Sequence, residues 1–128
     1  MVDETGIILK NLPNMPTQGF PIATGISVKQ LLQDRRPLYR ALEIINMIKE
    51  VDNTLLSFIS ETHLQKDHWP VLFLNQGGAK VFLGESSHYE RIYLWSELFR
   101  QSSIVDNLDQ IKRIDFTFDD RIVIEYKT

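Results

Sequence analysis

The chain has 128 residues, of which 43% are hydrophobic and 24% are charged. This composition is typical of one globular domain and disfavours disordered and collagen-like chains. Fourteen basic and 17 acidic side chains give a formal net charge of −3, which disfavours a protein that coats nucleic acid. No cysteine is present, so a disulfide framework, a cysteine-based zinc site and thiol catalysis are excluded.

The first part of the chain predicts a short strand, a loop and a short helix. Residues 6–10 contain an aliphatic run after an Asp-Glu-Thr-Gly turn, which favours a strand. Residues 11–25 are predicted to be loop or extended chain, because the prolines and glycines that recur through them disfavour a helix. Ser27 is expected to be the N-cap of a helix over 27–32.

A longer helix is predicted at 37–51. Its apolar residues recur with a period of 3.6 and therefore share one face; they are Leu38, Ala41, Leu42, Ile45 and Ile48. Pro37 suits the first turn of this helix, where a backbone N–H would have no intrahelical partner.

The middle of the chain predicts a strand at 58–64 and then a hairpin. The hairpin has arms at 71–74 and 79–83, joined by Asn75-Gln76-Gly77-Gly78, because paired glycines permit the positive φ of tight turns. Alternation places Ala79, Val81 and Leu83 on one face of the second arm, with Lys80 and Phe82 on the other.

A second amphipathic helix is predicted at 87–101. The side expected to face the core carries Ile92, Trp95, Leu98 and Phe99. The side expected to face solvent carries Glu90, Arg91, Glu97 and Arg100. Tyr89 and Tyr93 are expected to join Trp95 and Phe99 in an aromatic stripe that belongs to the core.

The chain ends in two strands with clear period-two alternation, 111–118 and 121–127, linked by Asp119-Asp120. The element order β–α–β–β–β–α–β–β predicts an α+β fold. We expect an antiparallel-rich sheet with two main helices packed on one face and the C-terminal strand at a sheet edge.

Candidate chemistry in the sequence is sparse. A small metal-dependent hydrolase would use His63, Asp67 and His68. Their spacing is not the i, i+4 spacing that places two ligands on one face of a helix. A polar surface turn is the alternative interpretation of these three residues. A third reading is a ligand-binding module with an apolar pocket between helix and sheet. No cofactor is expected.

The position of the last strand at the end of the chain suggests that it lies at an open edge of the sheet. If no strand follows it in the sheet, one row of its backbone N–H and C=O groups is open to an incoming strand. The charges of Arg121, Glu125 and Lys127 have an alternative role, which is to prevent unwanted pairing at that edge.

Several short segments occur in a distinctive order along nearly the whole chain. They are Val2-Asp3-Glu4-Thr5-Gly6, Pro21-Ile22-Ala23-Thr24-Gly25, Ile59-Ser60-Glu61, Lys80-Val81-Phe82-Leu83-Gly84, Ile114-Asp115-Phe116-Thr117-Phe118-Asp119 and the closing strand 121–126. The ordered set resembles the extracytoplasmic β domain of the bacterial cell-division family FtsQ/DivIB. Two positions depart from the family pattern: Thr117 stands where the family often has Arg, and Phe118 replaces the commoner Tyr.

The resemblance implies a non-enzymatic scaffold of the divisome that binds FtsB- and FtsL-like partners, with a β-strand from FtsB added to the closing strand. Carried over by position, the partner-binding residues are Phe118, Arg121, Ile122, Val123, Ile124, Glu125 and Tyr126. Tyr126 is the expected anchor, and its alternative role is packing on the core of the sheet.

The resemblance also implies a place in a longer protein. Residues 1–128 would then be one monomeric β domain of a protein whose transmembrane helix and POTRA domain lie outside this sequence. The domain would act on the periplasmic side of the bacterial inner membrane at the division site.

Overall fold

The computed structural model describes residues 7–8 and 22–128. Within them the strands are β1 (Ile7–Ile8), β2 (Ile22–Thr24), β3 (Ile59–His63), β4 (Val71–Leu74), β5 (Lys80–Phe82), β6 (Ile111–Asp115) and β7 (Val123–Tyr126). The helices are α1 (Val28–Gln33), α2 (Arg36–Asp52), α3 (His88–Leu98) and α4 (Ser102–Val105). The segment 2–6 and the predicted loop at 11–21 lie outside the described residues.

The described strands form one seven-stranded sheet whose spatial order follows the chain order. The pairs β2–β3 and β5–β6 are parallel, and the other four pairs are antiparallel. Both parallel pairs follow connections that contain helices, α1 with α2 in one and α3 with α4 in the other, as parallel pairing requires a crossover. The predicted α+β fold is confirmed, and the sheet is mixed but mainly antiparallel.

The helices begin where the sequence indicates. Ser27 caps α1 and forms a capping box with Gln30, which satisfies backbone N–H groups that the first turn leaves free. Pro37 lies in the first turn of α2. The buried stripe of α2 comprises Ala41, Ile44, Ile45 and Ile48, whereas Leu38 and Leu42 are partly buried against the same core.

A row of residues that crosses six strands forms the core face of the sheet. Its members are paired neighbours in register: Ala23, Thr62, Leu72, Val81, Ile114 and Ile124. Trp95 and Ile92 of α3 are fully buried in the same core. The hairpin prediction is confirmed, because Ala79, Val81 and Leu83 are buried while Lys80 is exposed. Gly77 and Gly78 both have positive φ.

The sheet contains one strand that the sequence did not indicate. The segment predicted as loop or extended chain through residue 25 includes the extended strand β2, which pairs in parallel with β3 in the register Thr24↔His63. The Leu64 N–H donates to the Thr24 carbonyl at 2.7 Å. Three residues between Pro21 and Gly25 are too few to show alternation, so only the long-range partner defines this strand.

The connection between the last two strands differs from its prediction. β6 ends at Asp115 and β7 begins at Val123, so residues 116–122 replace the expected two-residue link. Arg91, which was expected on the solvent side of α3, is buried against this connection. Its side chain is only 8% exposed, and it donates to the carbonyls of Phe116 and Phe118. The Phe116 N–H donates to the Phe82 carbonyl of β5 at 2.9 Å, so α3 and β5 hold this segment rather than β7.

The aromatic stripe expected on α3 is only partly in the core. Trp95 is fully buried, but Tyr89 and Tyr93 are 50% and 58% exposed. Tyr89 instead donates its hydroxyl to Glu50 of α2 at 2.7 Å. Across the described residues, no helix combines the length and the apolar character that crossing a membrane would require.

Candidate partner-binding edge of the sheet

β7 is the last strand of the sheet, and it is paired on one flank. Its neighbour is β6, in the antiparallel register Ile114↔Ile124 and Asp115↔Val123. Among the described residues no strand lies on its other flank. An unpaired flank presents backbone donors and acceptors that a further strand can use.

The register decides which backbone groups of β7 are free. The N–H of Lys127, directly after β7, donates to the Gln110 carbonyl at 2.8 Å, so Lys127 faces β6. Backbone groups alternate along a strand, and therefore Glu125 and Val123 also face β6. The N–H and C=O groups of Ile124 and Tyr126 consequently point to the open flank.

The two faces of β7 have different characters. Ile122 and Ile124 pack against the hydrophobic core, whereas Tyr126 is 53% exposed. On the opposite face, the Glu125 carboxylate lies 2.7 Å from Arg113 Nε and 3.4 Å from Lys112 Nζ. These ion pairs orient an exposed acidic group beside the strand but leave the backbone on the open flank unoccupied.

An aromatic and a basic side chain lie together in the loop before β7. Phe118 is 40% exposed, and the Arg121 guanidinium lies 4.4 Å from the centroid of its ring, within the range of a cation–π contact. Arg121 also lies 3.4 Å from the Asp120 carboxylate. The exposed parts of the predicted set are therefore the loop pair Phe118–Arg121 and the open flank of β7, whereas the side chains of Ile122 and Ile124 pack on the core.

Two side chains restrain this surface through contacts that the sequence did not indicate. Arg91 binds the loop from beneath, with its Nη2 2.9 Å from Asp119 Oδ1. Lys127 Nζ donates to the Gly77 carbonyl at 2.7 Å and ties the end of β7 to the β4–β5 turn. A signal for Arg91 was present, because it lies four residues before Trp95 and so belongs to the same helical face.

The alternative metal site is not formed. His63 Nδ1 lies 3.2 Å from Thr24 Oγ1, while His68 Nδ1 lies 2.7 Å from Glu85 Oε1 in an exposed ion pair. In the part of the chain that the structure describes, no group of three His, Asp or Glu side chains is placed to hold a metal ion. The structure therefore does not bring His63, Asp67 and His68 together as a metal site in the residues it describes.

A cleft lies at the opposite side of the sheet from β7. It has a volume of about 530 Å³ and is lined by residues of α1 and the end of β3, including Gln30, Asp34, His63 and Lys66. This lining mixes polar and apolar groups, unlike the apolar pocket between helix and sheet that the third reading expected.

The fold and this surface define an α+β domain whose C-terminal strand lies at the edge of the sheet. Comparison with known proteins identifies the family. Residues 1–117 match the family model described as cell division protein FtsQ/DivIB, C-terminal. The chain therefore belongs to the FtsQ/DivIB family of cell-division proteins, as the ordered motifs predicted.

Two curated relatives, both named cell division protein FtsQ, are similar to the chain over 97% of its length. The one from Geobacter sp. (strain M21) is 27% identical over 128 residues, and the one from Geotalea daltonii is 23% identical. The chain spans 46% of the length of each relative. The family match ends at Thr117, just before the Phe118–Arg121 pair and β7.

Proposed function

We propose that this domain is a non-enzymatic scaffold of the divisome that recruits an FtsB-like partner by adding a partner strand to β7. FtsL-like proteins would join the same assembly. The single observation that carries the proposal is the open flank of β7, at which the backbone groups of Ile124 and Tyr126 have no strand partner among the described residues. Membership of a cell-division family supplies the cellular process.

On this surface, backbone groups and side chains would have different roles in binding the partner. Backbone hydrogen bonds along the open flank would align the incoming strand, and side chains on either face would select its sequence. Tyr126 offers a half-exposed aromatic ring for packing, and such residues are frequent anchors of interfaces. Phe118 with Arg121 would contact the partner beyond the end of β7.

The proposal includes a location and a larger protein. Because the chain spans 46% of the relatives' length, we propose that it is the β domain of a longer, membrane-anchored protein. The domain would be monomeric and would work on the periplasmic side of the inner membrane, at the division site.

The first prediction uses Ile124→Pro. Proline lacks the N–H that Ile124 presents to the open flank, whereas the bonds between β6 and β7 use the neighbouring residues. The affinity for the extracytoplasmic segment of the FtsB-like protein from the same bacterium, measured by titration calorimetry, should fall about 30-fold, since one bond is lost and one partner group is left unsatisfied.

Two variants serve as controls for this prediction. Ile124→Ala removes the same side chain but keeps the N–H, so its affinity should stay within about threefold of the wild type. Val123→Pro removes an N–H that faces β6 and should loosen β7 itself, visible as a lower melting temperature. A folded Ile124→Pro domain that binds as tightly as Ile124→Ala would refute strand addition at this position.

A further inference from the structure

We propose that Arg91 is a positioning residue for partner docking, because it fixes the loop that carries Phe118 and Arg121. The inference rests on the proposed function for its consequence, but the anchoring of the loop stands on contacts of its own. Arg91 belongs to α3, on the buried side of the domain, and does not line the open flank of β7.

The guanidinium of Arg91 is almost fully enclosed, and its three nitrogens all have acceptors. Nε donates to the Ser86 carbonyl at 3.1 Å. Nη1 donates to the carbonyls of Phe116 and Phe118, and Nη2 donates to Asp119 at 2.9 Å. A planar guanidinium can serve acceptors in several fixed directions at once, which a lysine ammonium on its flexible stem cannot reproduce.

Two further contacts restrain the first part of the loop. Asp115 Oδ1 accepts from the Thr117 N–H at 2.9 Å and from its hydroxyl at 2.6 Å. Thr117 lies against Gly84, where an added Cβ would come within 3.2 Å of Thr117 Cγ2. Residues 115–119 are thus held from the strand side by Asp115 and from the helix side by Arg91.

This anchoring has a direct consequence for the open edge. The alternation of the sequence through Phe118 favours longer pairing between β6 and β7 than the structure shows. By binding the carbonyls of Phe116 and Phe118, Arg91 fixes this segment on the side of α3 and β5, where the Phe116 N–H also donates to the Phe82 carbonyl at 2.9 Å. The Phe118 ring stays 40% exposed beside Arg121. Without the anchor, the loop would sample other conformations. Ordering the loop on binding would then reduce the free energy of association with the partner.

The test combines binding and hydrogen exchange on Arg91→Lys. This variant keeps the charge but loses most of the directed contacts. We expect the amides of Phe116 and Thr117, which donate to the Phe82 carbonyl and to Asp115 Oδ1, to exchange at least about tenfold faster in the free domain. The affinity for the FtsB-like extracytoplasmic segment should fall about tenfold. The amides of Leu72 and Val81, in the centre of the sheet, should keep their protection, which separates loop release from global unfolding.

Arg100→Lys is the matched control. Arg100 lies just beyond the same helix and is exposed, and its side chain forms a weak ion pair with Glu97, with 3.7 Å between Arg100 Nη1 and Glu97 Oε1. It should leave exchange and affinity unchanged. Asp119→Asn, which weakens one contact and spares the carbonyl contacts, should give a smaller effect than Arg91→Lys.

Three results would overturn parts of the inference. Unchanged exchange of the Phe116 and Thr117 amides in Arg91→Lys would overturn the anchor. A loop that is released in Arg91→Lys, with unchanged affinity for the FtsB-like segment, would overturn the role of Arg91 in docking. A wild-type domain that does not bind the FtsB-like segment would overturn the proposed function, and the exchange measurement would still decide whether Arg91 holds the loop.

Discussion

Asp52, at the C-terminal end of α2, links three parts of the helical layer. Its Oδ2 accepts from the Ser96 hydroxyl of α3 at 2.6 Å, and its Oδ1 accepts from the Thr54 hydroxyl at 2.5 Å. The hydrogen bonds from Ser96 and Thr54 outweigh the effect of burial and lower the pKa of Asp52 below its ordinary value of 3.8. The charged carboxylate is therefore part of the packing between α2 and α3.

The corresponding prediction concerns Ser96→Ala. Loss of a bond to a charged group should lower the free energy of unfolding by about 2 kcal/mol at pH 7. Because the pKa of Asp52 is depressed in the folded state, its stabilisation is complete above the ordinary value and is lost as the pH falls through the folded pKa. The difference between wild type and variant should therefore shrink below about pH 4, as measured by urea unfolding at several pH values.

Ser103→Ala provides the comparison, since Ser103 is exposed and is remote from Asp52 in the chain. It should change the free energy of unfolding by less than about 0.5 kcal/mol at every pH. A Ser96→Ala difference that stays constant down to pH 2 would show that Asp52 is not the group responsible.

At the same scale, single residues show what a sequence pattern can and cannot predict. Ser27 was identified as an N-cap because capping depends on residues only three positions apart. Arg91 was misplaced because its charge outweighed its position four residues before Trp95 on the same helical face. Its acceptors at Phe116 and Phe118 are distant in sequence, and no local pattern predicts them. Tyr89 and Tyr93 were assigned to the core because aromatic residues usually are buried, yet the sheet covers only the opposite side of α3.

At the scale of elements, the β4–β5 turn depends on one glycine more than on its neighbour. Gly77 and Gly78 have φ of +77° and +72°, which L side chains rarely adopt. A Cβ on Gly77 would lie 2.5 Å from the Asp109 backbone, whereas a Cβ on Gly78 would meet nothing within 4 Å. The turn is thus packed against the segment that leads into β6.

Gly77→Ala should therefore destabilise the domain more than Gly78→Ala. We expect a loss of about 3 kcal/mol for Gly77→Ala, from backbone strain together with a clash against backbone that must move. Gly78→Ala should lose only about 1 kcal/mol, because strain acts alone. Thermal unfolding of the two variants in parallel checks this prediction, and equal losses would contradict the close approach of Gly77 to Asp109.

Elements with strong local signals were predicted well. The helix 37–51 corresponds to α2 at Arg36–Asp52, and the hairpin was placed within one residue, since both depend on periodicity and turn chemistry. β2 was missed because pairing with β3 rather than its own residues makes it a strand. The parallel pairs were not specified either, because a strand pattern contains no information about the direction of its neighbour.

At the scale of the whole molecule, hydrogen exchange should distinguish the open flank from the rest of the sheet. In the free domain, the amides of Ile124 and Tyr126 should exchange faster than that of Glu125, which faces β6. Addition of the FtsB-like segment should slow Ile124 and Tyr126 by about tenfold or more. Amide exchange followed by NMR, with and without the segment, makes this measurement.

The central strands provide the internal reference. The amides of Leu72 and Val81 should change little on binding, because these residues lie on paired strands at a distance from β7. Protection that rises equally throughout the sheet would indicate general stabilisation. Protection of Ile124 and Tyr126 that does not rise while the segment is bound would place its contacts elsewhere on the domain.

The sequence by itself determined the family, the α+β class, the amphipathic helices and the hairpin, because motifs, periodicity and capping act over short distances along the chain. It also indicated that the last strand could form an edge. Only the tertiary structure decided which backbone groups of β7 are free, that residues 116–122 form a loop, and that Arg91 lies beneath it. These features depend on register and on contacts between residues far apart in the chain, and such contacts exist only once the sheet and helices have packed together.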